Sequence, residues 1–249
     1  MPGLAEAATD TSVQFDVLLA RQPIFDGGGA LHGYELLYRG GLNPTSEGSG
    51  DDRMTSQVLV NAFLSIGIGR LTGGRRAYLN FTRQLLLDRV HSVLHPGTVV
   101  IEVLERVVPD DEVLAACRDI VDGGYLLALD DFEYSPAMDP LLDLAHVVKL
   151  DVLGKDEAEL AHTLDRLRHF NVRFLAERVE TPAMRDACHR LGFSYFQGYY
   201  FARPELVSQR ALPASPATIM KLMAMVRDDR TTEADLERAI QGDLTLTAK

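Results

Sequence analysis

Only two cysteines, Cys117 and Cys188, occur in the 249 residues. That excludes a disulfide framework and points to a reducing compartment, the cytoplasm. Both lie in helix-like stretches and read as buried thiols. No apolar run reaches the ~18–20 residues needed to span a membrane. The opening stretch MPGLAEAATDTSVQ lacks the basic start and apolar middle of a secretory leader, and residues 1–13 read as a flexible tail. Positive charge is scarce: 25 Lys and Arg stand against 36 Asp and Glu, a formal net charge of −11. Such a balance disfavours non-specific binding to DNA or to an anionic membrane. Histidine offers little for zinc either. Of the seven His, only His91 and His95 stand at HxxxH spacing, and all seven read as surface or packing residues.

What is present is enough for one barrel-sized core, with 46% hydrophobic and 24% charged residues. Eight short apolar, β-branched or aromatic runs recur: VQFDVLLARQPIF, GYELLYR, RAYLNF, TVVIEVLE, YLLALDD, HVVKLD, VRFLAERVE and YFQGYYF. Helix-like stretches separate them. In one, Leu160, Leu164 and Leu167 share a face at helical spacing. Asp110, Asp156 and Thr181-Pro182 mark helix starts, and Gly123-Gly124 and Gly192 mark ends. Alternating strand and helix predicts an α/β fold with a parallel sheet, open or closed, over residues 14–206. After Pro204 the pattern changes. Residues 207–215 read as a linker. Residues 216–249 read as a helical segment, with an apolar stripe of Ile219, Leu222, Met223 and Val226 and a capping box of Thr232 and Asp235.

Most of the predicted strands end in a polar residue: Glu35, Asn80, Glu102, Asp130, Asp131, Lys149, Asp151, Glu177 and Gln197. Parallel neighbours would share these ends on one rim, where a (β/α)8 barrel assembles its active site. So many carboxylates in one place repel one another unless a cation lies between them. Hard oxygen donors of this kind suit Mg or Mn. The Asp130–Asp131 pair could bridge two ions about 4 Å apart, as in two-metal phosphoester hydrolysis. Lys149 shares a strand face with Asp151 and could orient a water or offset phosphate charge. For any one of these residues alone, a rim ion pair is the simpler explanation.

The ordered set GYELLYR, LNFT, IEVLE, LALDDF, VKLD, AERVE and FQGYYFARP resembles the EAL domain, the cyclic di-GMP phosphodiesterase family, from about Gln22 to Pro204. The tail from Pro213 resembles the start of an HDOD module. The resemblance implies a TIM-like (β/α)8 barrel with one reversed strand, followed by C-terminal helices. It implies hydrolysis of cyclic di-GMP to linear pGpG with two Mg or Mn ions. The implied metal ligands are Glu35, Asn80, Glu102, Asp130, Asp131 and Glu177. Lys149 would position the attacking water, and Glu177 could assist as a base. Gln22, Leu37, Arg39, Asp151 and Gln197 would line the substrate. Glu105 and Glu180 would support the loop after Asp131. A protein partner at the HDOD-like tail and a homodimer are also implied.

Two departures stand out. Active members carry a glycine-containing loop after the Asp pair, whereas residues 133–138 here read EYSPAM. Glu and Tyr disfavour backbone conformations open to glycine, and Pro136 fixes φ. Arg178 occupies the place of a usual glycine, where it could pair with Glu177, reach the ligand phosphate or point to solvent. Three readings follow: a metal-dependent phosphodiesterase, weakened or not by the loop; a receptor that binds cyclic di-GMP without cleaving it; and a protein-interaction scaffold.

Overall fold

The alternating strands and helices close into a barrel. The structure, a computed structural model, describes residues 16–39 and 67–210. Its strands are β1 (Asp16–Asp26), β2 (Leu31–Arg39), β3 (Arg76–Phe81), β4 (Val99–Val103), β5 (Leu126–Leu129), β6 (Val147–Asp151), β7 (Arg173–Glu177) and β8 (Tyr195–Phe196). These eight pair in sequence order, and β8 returns to β1 to close the ring. From β2 to β8 every pairing is parallel; β1 is antiparallel to both neighbours. This is the barrel with one reversed strand that the sequence implies.

A ninth strand, β9 (Glu205–Arg210), pairs antiparallel with β1 from Asp16 to Arg21. The sequence reading begins a linker at residue 207, so its first four positions are strand instead. The cause is non-local. β8 covers only Phe25 and Asp26 of the β1 edge, which leaves a long row of backbone donors and acceptors for β9 to satisfy. The expected tail at 1–13 and the helical segment at 216–249 lie outside the described residues.

Six α-helices are described: α1 (Ile68–Thr72), α2 (Arg83–Leu87), α3 (Asp111–Asp122), α4 (Asp139–Leu142), α5 (Glu157–Leu167) and α6 (Pro182–Leu191). Their starts follow the side chains that cap them. Asp110 accepts from Val113 N at 2.9 Å, and Thr181 accepts from Met184 N at 3.2 Å. Asp156 and Glu159 form a reciprocal capping box at 2.8 and 2.9 Å. Gly192 ends α6 at φ 96°. Leu160, Leu164 and Leu167 of α5 are buried as their spacing predicts, each worth about 1.5–3 kcal/mol.

Two apolar layers result from strand alternation. The outer one joins strands to helices. The inner one fills the barrel with Ile24, Tyr78, Val100, Ala128, Val147, Leu175 and Tyr195. Gly33 makes room there: a Cβ at this position would meet Arg76 O at 2.7 Å and the Tyr78 ring at 3.3 Å. Two residues beyond Gly33 and each inner-layer residue of β3 to β8, on the same face, come Glu35, Asn80, Glu102, Asp130, Lys149, Glu177 and Gln197. The dry inner layer is thus the floor of the polar one.

His91, in the 3-10 turn Val90–Val93, is 3% exposed, with its ring edge-on to Tyr125 at 5.1 Å. Burial lowers its pKa from 6.5 to about 4. The fold therefore holds it neutral. The stability this gives is complete above pH 6.5 and is lost as pH falls through about 4, up to about 3 kcal/mol. His91→Phe is expected to flatten the dependence of Tm on pH between 6.5 and 4, measured by thermal melts. An unchanged slope would place the acid sensitivity elsewhere.

Candidate active site

Four carboxylates, three from β2, β4 and β7 and one just past the end of β5, converge on one ammonium. Lys149 Nζ of β6 lies 2.6 Å from Asp130 Oδ1, 2.9 Å from Glu102 Oε1, 3.0 Å from Glu177 Oε1 and 3.5 Å from Glu35 Oε2. Lys149 and Glu102 are both fully buried. Glu35 is held by its neighbours: Gln197 Nε2 donates to Oε2 at 2.6 Å and Asn80 Nδ2 to Oε1 at 3.4 Å. Gln22 of β1 stands opposite Glu35 in register. The strand-end residues picked from the sequence do share one rim.

The charges do not balance. One ammonium faces four acids, and burial pushes the Glu102 carboxyl well above its usual range and Glu177 up to about 8, despite the opposing pull of Lys149. For Lys149 burial disfavours the charged form, but Glu102, Glu177, Glu35 and Asp130 outweigh it and raise its pKa. Several buried oxygens also lack a hydrogen-bond partner among the described residues: Asn80 Oδ1, Glu102 Oε2, Glu177 Oε2 and Gln197 Oε1. Buried acceptors are normally satisfied. Excess negative charge together with unsatisfied hard oxygens is the donor set that divalent cations fit.

The Asp pair is anchored on both sides. Asp130 N donates to Val103 O of β4 and Phe132 N to Lys149 O of β6, each at 3.0 Å. Asp131 takes a left-handed φ of 39°, a conformation that Asp tolerates. Partial burial and the neighbouring Asp130 raise its carboxyl pKa. Glu105 lies with this pair: ligand atoms of Glu105, Asp130 and Asp131 fall within 4.8 Å of one another. The loop that follows has its own anchors. Phe132 is buried, and Tyr134 packs on the main core beneath the Arg166 guanidinium at 4.2 Å. Glu180 is exposed and makes no hydrogen bond or ion pair with this loop among the described residues.

Past the ring, the rim is set by Gly198 and Arg178. Gly198 has φ 149°, and a Cβ there would sit 2.3 Å from both Val179 N and Val179 O. That close approach allows Val179 N to donate to Gln197 O at 3.0 Å. Arg178 adopts φ 58°, the left-handed region in which a glycine is at ease. Its Nη1 donates to Asp151 Oδ2 at 2.6 Å and does not pair with Glu177. The conformation costs roughly 1–2 kcal/mol for a non-glycine residue, whereas an ion pair this exposed contributes at most about 1 kcal/mol.

A family model described as the EAL domain matches residues 64–204, more than half of the sequence. The chain belongs to the EAL-domain family. The cyclic di-GMP phosphodiesterase CdgJ of Vibrio cholerae is 36% identical over 239 residues, covering 94% of this EAL chain and 55% of CdgJ. The chain spans about half the length of the curated relatives it matches. Among solved structures, the PaMucR phosphodiesterase in complex with c-di-GMP superposes with a TM-score of 0.64 at 25% identity, over 76% of this chain and 96% of that one. A calcium and cyclic di-GMP complex of BlrP1 from Klebsiella pneumoniae gives 0.63 at 23% identity, over 78% and 57%.

Within this EAL barrel, the residues assigned to metal from the sequence come together: Glu35, Asn80, Glu102, Asp130 and Glu177 line the ring and Asp131 its edge. Leu37 is half-buried on the same strand face as Glu35, and Arg39 ends β2 with its side chain outside the described part. Sequence reasoning missed how completely Lys149 is enclosed and that Arg178 chooses Asp151. The run of nine polar strand ends could have signalled the first. Nothing local signals the second.

Among the described residues no helix is long and apolar enough to cross a membrane.

Proposed function

We propose that this barrel is a metal-dependent phosphodiesterase that hydrolyses cyclic di-GMP to linear pGpG. The observation that carries the reading is the ring of Glu35, Glu102, Asp130 and Glu177 around Lys149, with buried oxygens left unsatisfied. It is supported by the phosphodiesterase names of CdgJ and PaMucR and by the cyclic di-GMP in the PaMucR and BlrP1 complexes. Glu35, Asn80, Glu102, Asp130, Asp131 and Glu177 would hold two Mg or Mn ions. Bound there, such ions would neutralise the phosphodiester and lower the pKa of a water. Gln197 and Asn80 fix the Glu35 carboxylate in place. Lys149 keeps the ring from repelling itself and, through the carboxylates it binds, would position the attacking water. Glu177 Oε2, buried and without a partner, would take that water's proton once bound cations hold its carboxyl ionised. Attack of water oxygen on phosphorus breaks one P–O3′ bond, the 3′ oxygen gains a proton, and a 5′-phosphate remains on pGpG.

The loop at 133–138 favours a second reading, binding without cleavage, because Tyr134 and Arg166 hold it on a course no glycine shapes. Products separated by chromatography after incubation with cyclic di-GMP and Mn distinguish the two. Hydrolysis by the wild type and a loss beyond about 100-fold in Glu35→Ala is the expected result, since removing even an outer partner of a metal ligand costs 10–100-fold. Binding by calorimetry with no product in either protein would support the receptor.

A further inference from the structure

Arg178 is left without a role by the mechanism above. Its φ of 58° is imposed from outside: Val179 N donates to Gln197 O, and Tyr200 N to Val179 O, both at 3.0 Å. The segment after Arg178 is therefore bolted to the chain that carries Gln197. Strain of this sort persists where the surroundings over-determine it, and it clusters at functional sites. The turn carries the guanidinium across the rim to Asp151, on the neighbouring strand and in register with Glu177. Asp151 is itself fixed, its Oδ1 accepting from Leu153 N at 2.9 Å. One nitrogen of the guanidinium is thereby anchored, while the Arg178 side chain is 60% exposed and makes no other hydrogen bond among the described residues. Lys149, the other cation of the site, is fully enclosed by carboxylates and out of reach of an incoming anion. A dianionic ligand approaching this acidic rim meets an accessible positive charge at Arg178.

We propose that Arg178 is a substrate-positioning residue: steadied by Asp151, its free guanidinium edge binds a non-bridging phosphoryl oxygen of the ligand at the barrel mouth. This rests on the reading of the site as one for cyclic di-GMP. A planar, pre-set guanidinium suits that task better than an ammonium.

The test compares wild type, Arg178→Gly and Arg178→Lys by Tm, by calorimetric Kd for cyclic di-GMP in calcium, and by KM and kcat in Mn. Glycine relieves the strain, so stability and affinity should move in opposite directions. Arg178→Gly is expected to gain about 2–4 °C in Tm, while Kd and KM rise roughly tenfold, in the range of one charge-assisted hydrogen bond, and kcat stays nearly unchanged. Arg178→Lys should lie between in affinity, without the gain in Tm. An Arg178→Gly protein with wild-type Kd and KM would overturn the inference while leaving the phosphodiesterase reading intact. A wild type that neither binds nor cleaves cyclic di-GMP would overturn both.

Discussion

Lys149→Met is expected to abolish hydrolysis and to destabilise the barrel by several kcal/mol, increasingly so as pH rises. Methionine matches the length of the lysine stem but removes the one cation at the centre of the ring. Breaking a buried ion pair by removing one partner typically costs about 3–5 kcal/mol, because the opposite charge is left uncompensated. Here four partners are left. The pH dependence follows from the carboxyls. Burial raises Glu177 to about 8 and Glu102 well above its usual range even with Lys149 in place. Carboxyls with raised folded pKa values favour the fold while protonated, so their contribution is complete below about 4.5 and lost as pH climbs through the folded value. Without Lys149 that loss is larger. Urea melts in chelator from pH 5 to 9 should show wild type and variant closest at pH 5 and separating steadily above it. A gap of constant size across the range would mean the lysine acts by packing alone.

Gly198→Ala is the second large effect. At φ 149° an added Cβ would lie 2.3 Å from Val179 N and O, and both are backbone atoms that cannot swing aside. Either the end of β8 or the 178–180 segment must shift. That breaks the Gln197 O to Val179 N bond and displaces Gln197, which holds Glu35, together with Glu177. A displacement of about 1 Å near the reacting groups costs on the order of 100-fold in rate. Strain at such a position adds roughly 1–3 kcal/mol of destabilisation. Tm and kcat measured together check this. A variant with wild-type values for both would show that the rim adjusts without cost.

What was legible in the sequence depended on local rules. Strand alternation set the inner layer and, two residues on, the ring. Side-chain caps at Asp110, Asp156 and Thr181 set helix starts where they were expected. The features that escaped are all non-local. β9 exists because β8 is only two residues long and leaves the β1 edge open. Arg178 turns to Asp151, and away from adjacent Glu177, because Gln197 and Tyr200 hold the following residue, Val179, and Arg178 itself takes the left-handed φ. The loop at 133–138 replaces glycine freedom with an aromatic anchor, Tyr134 against Arg166 far along the chain on α5. The departures from the family pattern are thus packed into the structure. The Asp pair keeps its backbone ties to both neighbouring strands.

The most direct test of a hydrolytic ring is to incubate the protein with cyclic di-GMP and Mn in water enriched in oxygen-18 and weigh the product. The account predicts linear pGpG carrying one heavy oxygen on its new 5′-phosphate, because water attacks phosphorus. Cyclic di-GMP recovered intact and unlabelled, though bound, would contradict it and leave the barrel a receptor.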